Sequence, residues 1–271
     1  MKIAFIGGGN MATAIVGGLL QQGYAAADIG VVEVIAEARE RWAAQFNVQV
    51  FAQPTAAILD APLLVLAVKP QQLADVAASI ADKLTNQLII SIAAGIRSTD
   101  LSRWLNGYQN IVRVMPNTPA LVQAGVAGLL GLPSVSQADR ATAEALMRSV
   151  GEVIWVENDE AIDAVTAVSG SGPAYVFYFI EALERAAREL GLDADAARIL
   201  SVHTFSGAAK LALGSSEGAA VLRARVTSKG GTTERAILTL QQSKVGEQFV
   251  TAVRAAAIRS RELGDEFGRS R

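Results

Sequence analysis

The sequence predicts an α/β amino-terminal domain followed by an all-α carboxyl-terminal domain. Two observations carry this. Short apolar strand-like runs alternate with helical patterns up to about residue 157, and beyond that point only helical periodicity remains. The bulk composition agrees: 271 residues, 51% apolar and 18% charged, are enough for two packed cores. A net charge of -2 gives no electrostatic reason to expect nucleic acid or an anionic membrane as partner, so a small molecule is the expected one. The chain has no cysteine, which excludes disulfides, thiolate metal sites and cysteine nucleophiles. Its one histidine, His203, cannot build a clustered-histidine zinc site. The apolar run after Lys2 stops at Gly7, and the longest uninterrupted one, residues 61–68, is far below the roughly 20 residues a bilayer requires. The expected location is cytoplasmic.

Taken in order, strands are expected at residues 2–6, 29–34, 48–51, 63–68, 88–91 and 110–115. The runs at 63–68 and 88–92 are apolar throughout, as central strands covered on both faces should be. Alternation with helices implies a parallel sheet with crossovers on both sides. A last pair, 125–130 and 153–156, flanks a helix near 138–149 and is expected at the later edge of the same sheet. Helices are then expected at 160–169, 172–190, 194–213, 216–226, 232–242 and 244–263. Gly191 suits a C-cap and Asp193 the next N-cap. The domains expected are therefore 1–157 and 158–271, with residues 268–271 as a frayed tail.

The most informative local feature is the first strand, ending at Ile6, which runs into Gly7-Gly8-Gly9-Asn10-Met11-Ala12 and then an alanine-rich helix. This is the G-x-G-x-x-A turn of a Rossmann-like dinucleotide-binding domain. Gly7 permits the tight turn, Gly9 clears the approach of a pyrophosphate, and Ala12 lets helix and sheet close up. Glu33, at the end of the second strand, stands near the spacing of a ribose-binding acid. In such sheets ligands lie off the carboxyl ends of the strands. Three further segments fall there: Ala67-Val68-Lys69-Pro70, Ala93-Ala94-Gly95, and the Met115–Pro119 exit containing Asn117. Lys69 either faces the cofactor or is a solvated strand end. Gly95 either admits a flat ring or serves a tight loop, and Asn117 either binds or caps a turn.

Two helical joints carry unusual chemistry. Ser169-Gly170-Ser171-Gly172-Pro173-Ala174-Tyr175 opens a long helix with proline in its first turn. Thr227-Ser228-Lys229-Gly230-Gly231-Thr232-Thr233 brings two glycines and several hydroxyls to a helix start, where free N–H groups suit a small carboxylate.

With the motifs at 7–12, 67–70, 115–119, 169–175 and 227–233 in place, the chain resembles the pyrroline-5-carboxylate reductases from end to end. The resemblance implies hydride transfer from a reduced nicotinamide to the C5=N bond of 1-pyrroline-5-carboxylate, giving L-proline. It implies that Ser228, Gly230, Gly231, Thr232 and Thr233 hold the substrate, with the Thr233 hydroxyl on the ring nitrogen. It implies NADP(H) as cofactor, whereas Glu33 suits the free ribose hydroxyl of NAD(H) and repels a phosphate. Arg39 and Arg41 follow closely and can offset that charge, so the choice stays open. The family also assembles through its helical domain as homodimers or rings of dimers. One departure stands in the last motif, where Lys229 replaces the family's usual proline. A β-hydroxyacid dehydrogenase is disfavoured because residues 160–198 contain no lysine. A cofactor-sensing regulator without turnover is the remaining alternative.

Overall fold

The computed structural model describes residues 2–269. Its sheet has the order β3-β2-β1-β4-β5-β6-β7-β8. The strands are β1 (Ile3–Ile6), β2 (Ile29–Val32), β3 (Gln49–Phe51), β4 (Leu63–Leu66), β5 (Leu88–Ser91), β6 (Ile111–Met115), β7 (Gly125–Gly131) and β8 (Gly151–Trp155). The first six are parallel, linked in sequence by helices α1 (Asn10–Gln21), α2 (Ala36–Phe46), α3 (Ala56–Leu59), α4 (Pro70–Ile80) and α5 (Ser98–Trp104). Strand side chains alternate between two cores: Phe5, Val65 and Ile90 pack with Ile15 of α1, while Ile6, Leu66 and Ile89 pack with Leu73 of α4. Burial on both faces explains why β4 and β5 read as unbroken apolar runs.

The last pair of strands stands at the far edge of the same sheet, as expected, but departs from the parallel pattern there. β7 runs antiparallel to β6, and β8, reached through α6 (Gln137–Arg148), is parallel to β7. The connection from β6 to β7 is a short 3-10 turn, Thr118–Val122, too brief for the crossover that parallel pairing needs.

α1 and α6 lie backbone-close. A Cβ on Gly18 would sit 2.3 Å from the Ser149 carbonyl oxygen. Gly18→Ala is therefore expected to destabilise the fold by about 2 kcal/mol, through overpacking against immovable backbone; thermal unfolding beside the unaltered chain checks it.

Helices follow: α7 (Asp159–Val165), a π-helical segment Thr166–Gly170, α8 (Gly172–Glu189), α9 (Ala194–Leu213), α10 (Ala219–Arg225), α11 (Thr232–Gln242) and α12 (Val245–Gly268). By contact the chain divides into Met1–Ser171 with Ala256–Arg271, and Gly172–Ala255. The final turns of α12 thus belong to the sheet-bearing unit. Ser260 donates a 2.6 Å hydrogen bond to the buried Asp163, and Arg97 pairs with Asp265 at 2.6 Å. The expected frayed tail at 268–271 is helical at Gly268, and Ser270 and Arg271 lie outside the described residues.

Candidate active site

The strand order reverses direction around β1, with β2 on one side and β4 on the other, so the ligand crevice opens off the carboxyl ends of β1 and β4. Gly7 stands there at φ 106°, and a Cβ on it would fall 2.6 Å from the Ala67 carbonyl oxygen at the β4 exit. The turn and the Ala67-Val68 segment are therefore in direct contact. Gly9 has nothing within 4 Å of its missing side chain. It is the N-cap of α1 and offers no side-chain cap. The first N–H groups of α1 therefore lack protein acceptors by position, which is the arrangement a pyrophosphate fits. Ala12 and Ile6 are buried beneath the turn, whereas Asn10 is exposed and Met11 half-buried.

The middle glycine is enclosed from the side. A Cβ on Gly8 would meet Trp42 Nε1 at 2.5 Å and Glu33 Oε2 at 2.9 Å, and the Trp42 indole donates to the Gly8 carbonyl at 3.0 Å. Glu33 is anchored through Oε1, which accepts from the Ile35 N–H at 2.9 Å. Its carboxylate thus stands beside the phosphate turn, as a ribose-reading acid must. Arg39 folds back, donating to the carbonyls of Glu33 and Val34 at 2.8 Å each. Arg41 remains exposed and lines a hollow of about 140 Å³ with Gly8, Thr13 and Trp42. Sequence reasoning missed Trp42. Its signal is a lone buried tryptophan in a helix otherwise built of Ala, Glu, Arg, Gln and Phe.

The remaining candidates separate. Lys69 is exposed at the N-cap of α4, with Pro70 at the first helical position. Ala93 is a core residue and Ala94 is exposed. Gly95 stands at φ 72°, and Leu263 and Phe267 of α12 lie 3.2 Å from where its Cβ would be, so its bareness lets that helix come close. Asn117 has both ends of its amide engaged within the protein, Oδ1 with the Val126 N–H and Nδ2 with the Ser169 carbonyl.

In the helical unit, Gly230 adopts φ 73°, and a Cβ on Gly231 would strike Ser228 Oγ at 2.5 Å. The glycine N–H groups are not open, however. Gly230 donates to Glu234 Oε2 at 2.7 Å and Gly231 to the Ser228 carbonyl at 3.0 Å. The donors left for an anion are those of Thr232 and Thr233, the first two residues of α11, with no intrahelical acceptor. Lys229 is exposed beside them. Among the described residues no cluster of His, Cys, Asp or Glu could hold a metal ion, and no helix is long and apolar enough to cross a membrane.

The family described as pyrroline-5-carboxylate reductase dimerisation matches residues 159–263, and that described as NADP oxidoreductase, coenzyme F420-dependent, matches residues 2–95. A pyrroline-5-carboxylate reductase of Pseudomonas aeruginosa is 44% identical over 268 residues, covering 98% of both chains. The chain belongs to the pyrroline-5-carboxylate reductase family. Another family member, from Vibrio alginolyticus, is 40% identical over the same share of both chains. Among solved reductase structures, that from Coxiella burnetii superposes with a TM-score of 0.92 at 41% identity, covering 97% of this chain and 98% of its own. That from Plasmodium falciparum, solved with NADP bound, gives 0.85 at 26% identity with the same coverage. The Rossmann-like sheet unit and the helical region are thus the two parts of a reductase of this family, an NAD(P)H-dependent oxidoreductase that oligomerises.

Proposed function

We propose that this chain reduces 1-pyrroline-5-carboxylate to L-proline with NADH as the preferred donor, as a homodimer or a ring of dimers in the cytoplasm. The observation that carries the reaction is 40–44% identity with named reductases across 98% of the chain, together with the Thr232–Thr233 donors at the start of α11. Their relation to enzymes of that name leaves the sensor without turnover unsupported. A bound reduced nicotinamide supplies the hydride that C5 of the imine accepts. The chain supplies alignment. Gly7, Gly9 and the uncapped start of α1 hold the pyrophosphate, and Ala67 and Val68 close its other side. The N–H groups of Thr232 and Thr233 take the substrate carboxylate, and the Thr233 hydroxyl hydrogen-bonds the ring nitrogen, which keeps its proton as the C=N bond becomes single. A protonated imine is already a strong acceptor, so no histidine acid is required.

NADH is favoured because Glu33 is fixed against Gly8, and because the residues after β2 are Val34 and Ile35, exposed and apolar. A 2′-phosphate would meet a carboxylate and find no hydroxyl. The homo-oligomer is supported by α8, α10 and α11, none of which contains a buried residue, while Phe177 and Tyr178 of α8 are 66% and 69% exposed.

The deciding assay follows nicotinamide oxidation with pyrroline-5-carboxylate, separately for NADH and NADPH. Oxidation is expected with both, faster with NADH; none with either would refute the reductase reading. Glu33→Ser is expected to raise the NADPH-to-NADH ratio of kcat/KM by about tenfold or more, the equivalent of about 1.4 kcal/mol. An unchanged ratio means that Glu33 does not read the ribose.

A further inference from the structure

Asn117 is a motif residue whose side chain faces the protein instead of the crevice. It is 9% exposed. Its Oδ1 accepts from the Val126 N–H at 2.9 Å, at the start of β7, and its Nδ2 donates to the Ser169 carbonyl at 3.1 Å. A second contact lies beside the first: a Cβ on Gly170 would fall 2.5 Å from Met115 Cε, so Met115 lies against the bare glycine. The exit of β6 thus grips the turn at Ser169 and Gly170 at two neighbouring points.

That turn is irregular. Thr166–Gly170 is π-helical, and the Ser171 N–H closes on the Thr166 carbonyl at 2.8 Å. Wide turns of this kind are rare and recur at functional sites. The Ser169 carbonyl has a particular difficulty. Four residues on, where a helix would supply its donor, stands Pro173, which has no N–H. A fully desolvated carbonyl without a donor costs about 1–3 kcal/mol, and this one is part-buried. Asn117 Nδ2 fills that vacancy.

We propose that Asn117 is a positioning residue. It supplies the hydrogen bond that Pro173 cannot give to Ser169, and so fixes the 169–171 turn at the carboxyl edge of the sheet, beside the nicotinamide end of the bound cofactor. This rests on the reductase reading for what the turn serves. It assigns Asn117 no direct contact with cofactor or substrate.

The test is Asn117→Asp. An aspartate keeps the acceptor for Val126 but, when ionised, turns a second oxygen toward the Ser169 carbonyl where a donor stood. Protonated, it donates again. Burial and the facing carbonyl hold such a carboxyl above the usual range. No ionisable side chain occurs in residues 114–131, in 164–171 or in α1; Arg113 and Asp163, one residue outside those stretches, are engaged by Asp159 and by Ser260, and Glu152, the ionisable residue of the small hollow around Asn117, is exposed and paired with Arg148 at 3.1 Å. The pH response therefore belongs to the new carboxyl.

At about pH 8 the variant's kcat is expected to fall roughly tenfold, the scale of a sub-ångström misplacement near the reacting atoms. Affinity for ADP-ribose, which lacks the nicotinamide, is expected to stay unchanged. The ratio of variant to unaltered kcat is expected to climb back as the pH falls toward about 5.5. A ratio flat with pH, or ADP-ribose affinity falling with kcat, overturns the proposal. Gly170→Ala carries the same test if the aspartate variant does not fold. It displaces the flexible Met115 tip and leaves Asn117 in place, and should lower kcat without changing ADP-ribose affinity; unchanged kcat overturns the proposal as well. Should the unaltered chain oxidise no cofactor, the reductase reading fails, and the strut is then read from the pH dependence of NADH affinity against that of ADP-ribose.

Discussion

Replacing Gly7 with alanine is expected to lower NADH affinity by about a hundredfold, equivalent to about 2.7 kcal/mol. Two costs combine at this position. The backbone sits at φ 106°, a region that a side chain resists by about 1–3 kcal/mol. The added Cβ would also overlap the Ala67 carbonyl oxygen at 2.6 Å. Ala67 is anchored in turn, its N–H donating to the Ile6 carbonyl at 2.8 Å, so the obstacle cannot retreat without opening the β1–β4 pair. The turn must move instead, and with it the N–H groups at the start of α1. Calorimetric titration with NADH checks this, with circular dichroism to show that the variant stays folded. Near-normal affinity in a folded variant would mean that the cofactor does not sit on this turn.

Thr233→Ala is expected to cut kcat by roughly ten- to a hundredfold, the value of one hydrogen bond to a charged partner, about 1.5–3 kcal/mol. Alanine keeps the backbone N–H that would hold the carboxylate and propagates a helix better than threonine, so α11 should persist. NADH affinity should therefore hardly change. Thr233→Ser, which restores the hydroxyl, should recover most of the rate. Equal losses of turnover and NADH affinity, or no rescue by serine, would place the ring nitrogen elsewhere.

Much of the fold was legible because its signals are local. β4 and β5 are buried on both faces, so their residues are apolar without alternation, and α9 and α11 begin and end where the periodicity places them. The direction of β7 was not legible, since an apolar run reads the same parallel or antiparallel. Gly95 was ambiguous because a glycine records that something comes close and not what comes. Here it is α12, some 170 residues later in the chain. The return of that helix has only a faint signature, the small residues Ser260 and Gly264 one turn apart, facing Asp163 and Arg97. Asn117 was ambiguous for a related reason. The partner that explains it, Ser169, is far away in sequence, and the clue to that pairing is Pro173, whose missing N–H concerns hydrogen bonding and not hydrophobicity.

The return of α12 has a consequence for the order in which the chain is made. A ribosome delivers the whole sheet, Asp163 included, well before Ser260 emerges. Until then the carboxylate of Asp163 lacks the hydroxyl that satisfies it, and Arg97 and Arg103 lack the carboxylate and carbonyl on α12 that they hold at 2.6 Å each. Domains ordinarily fold as units from the amino terminus during synthesis. In this chain the unit synthesised first is completed last, and a nascent fragment ending at Ser171 carries Asp163 without the α12 hydroxyl that meets it in the finished unit.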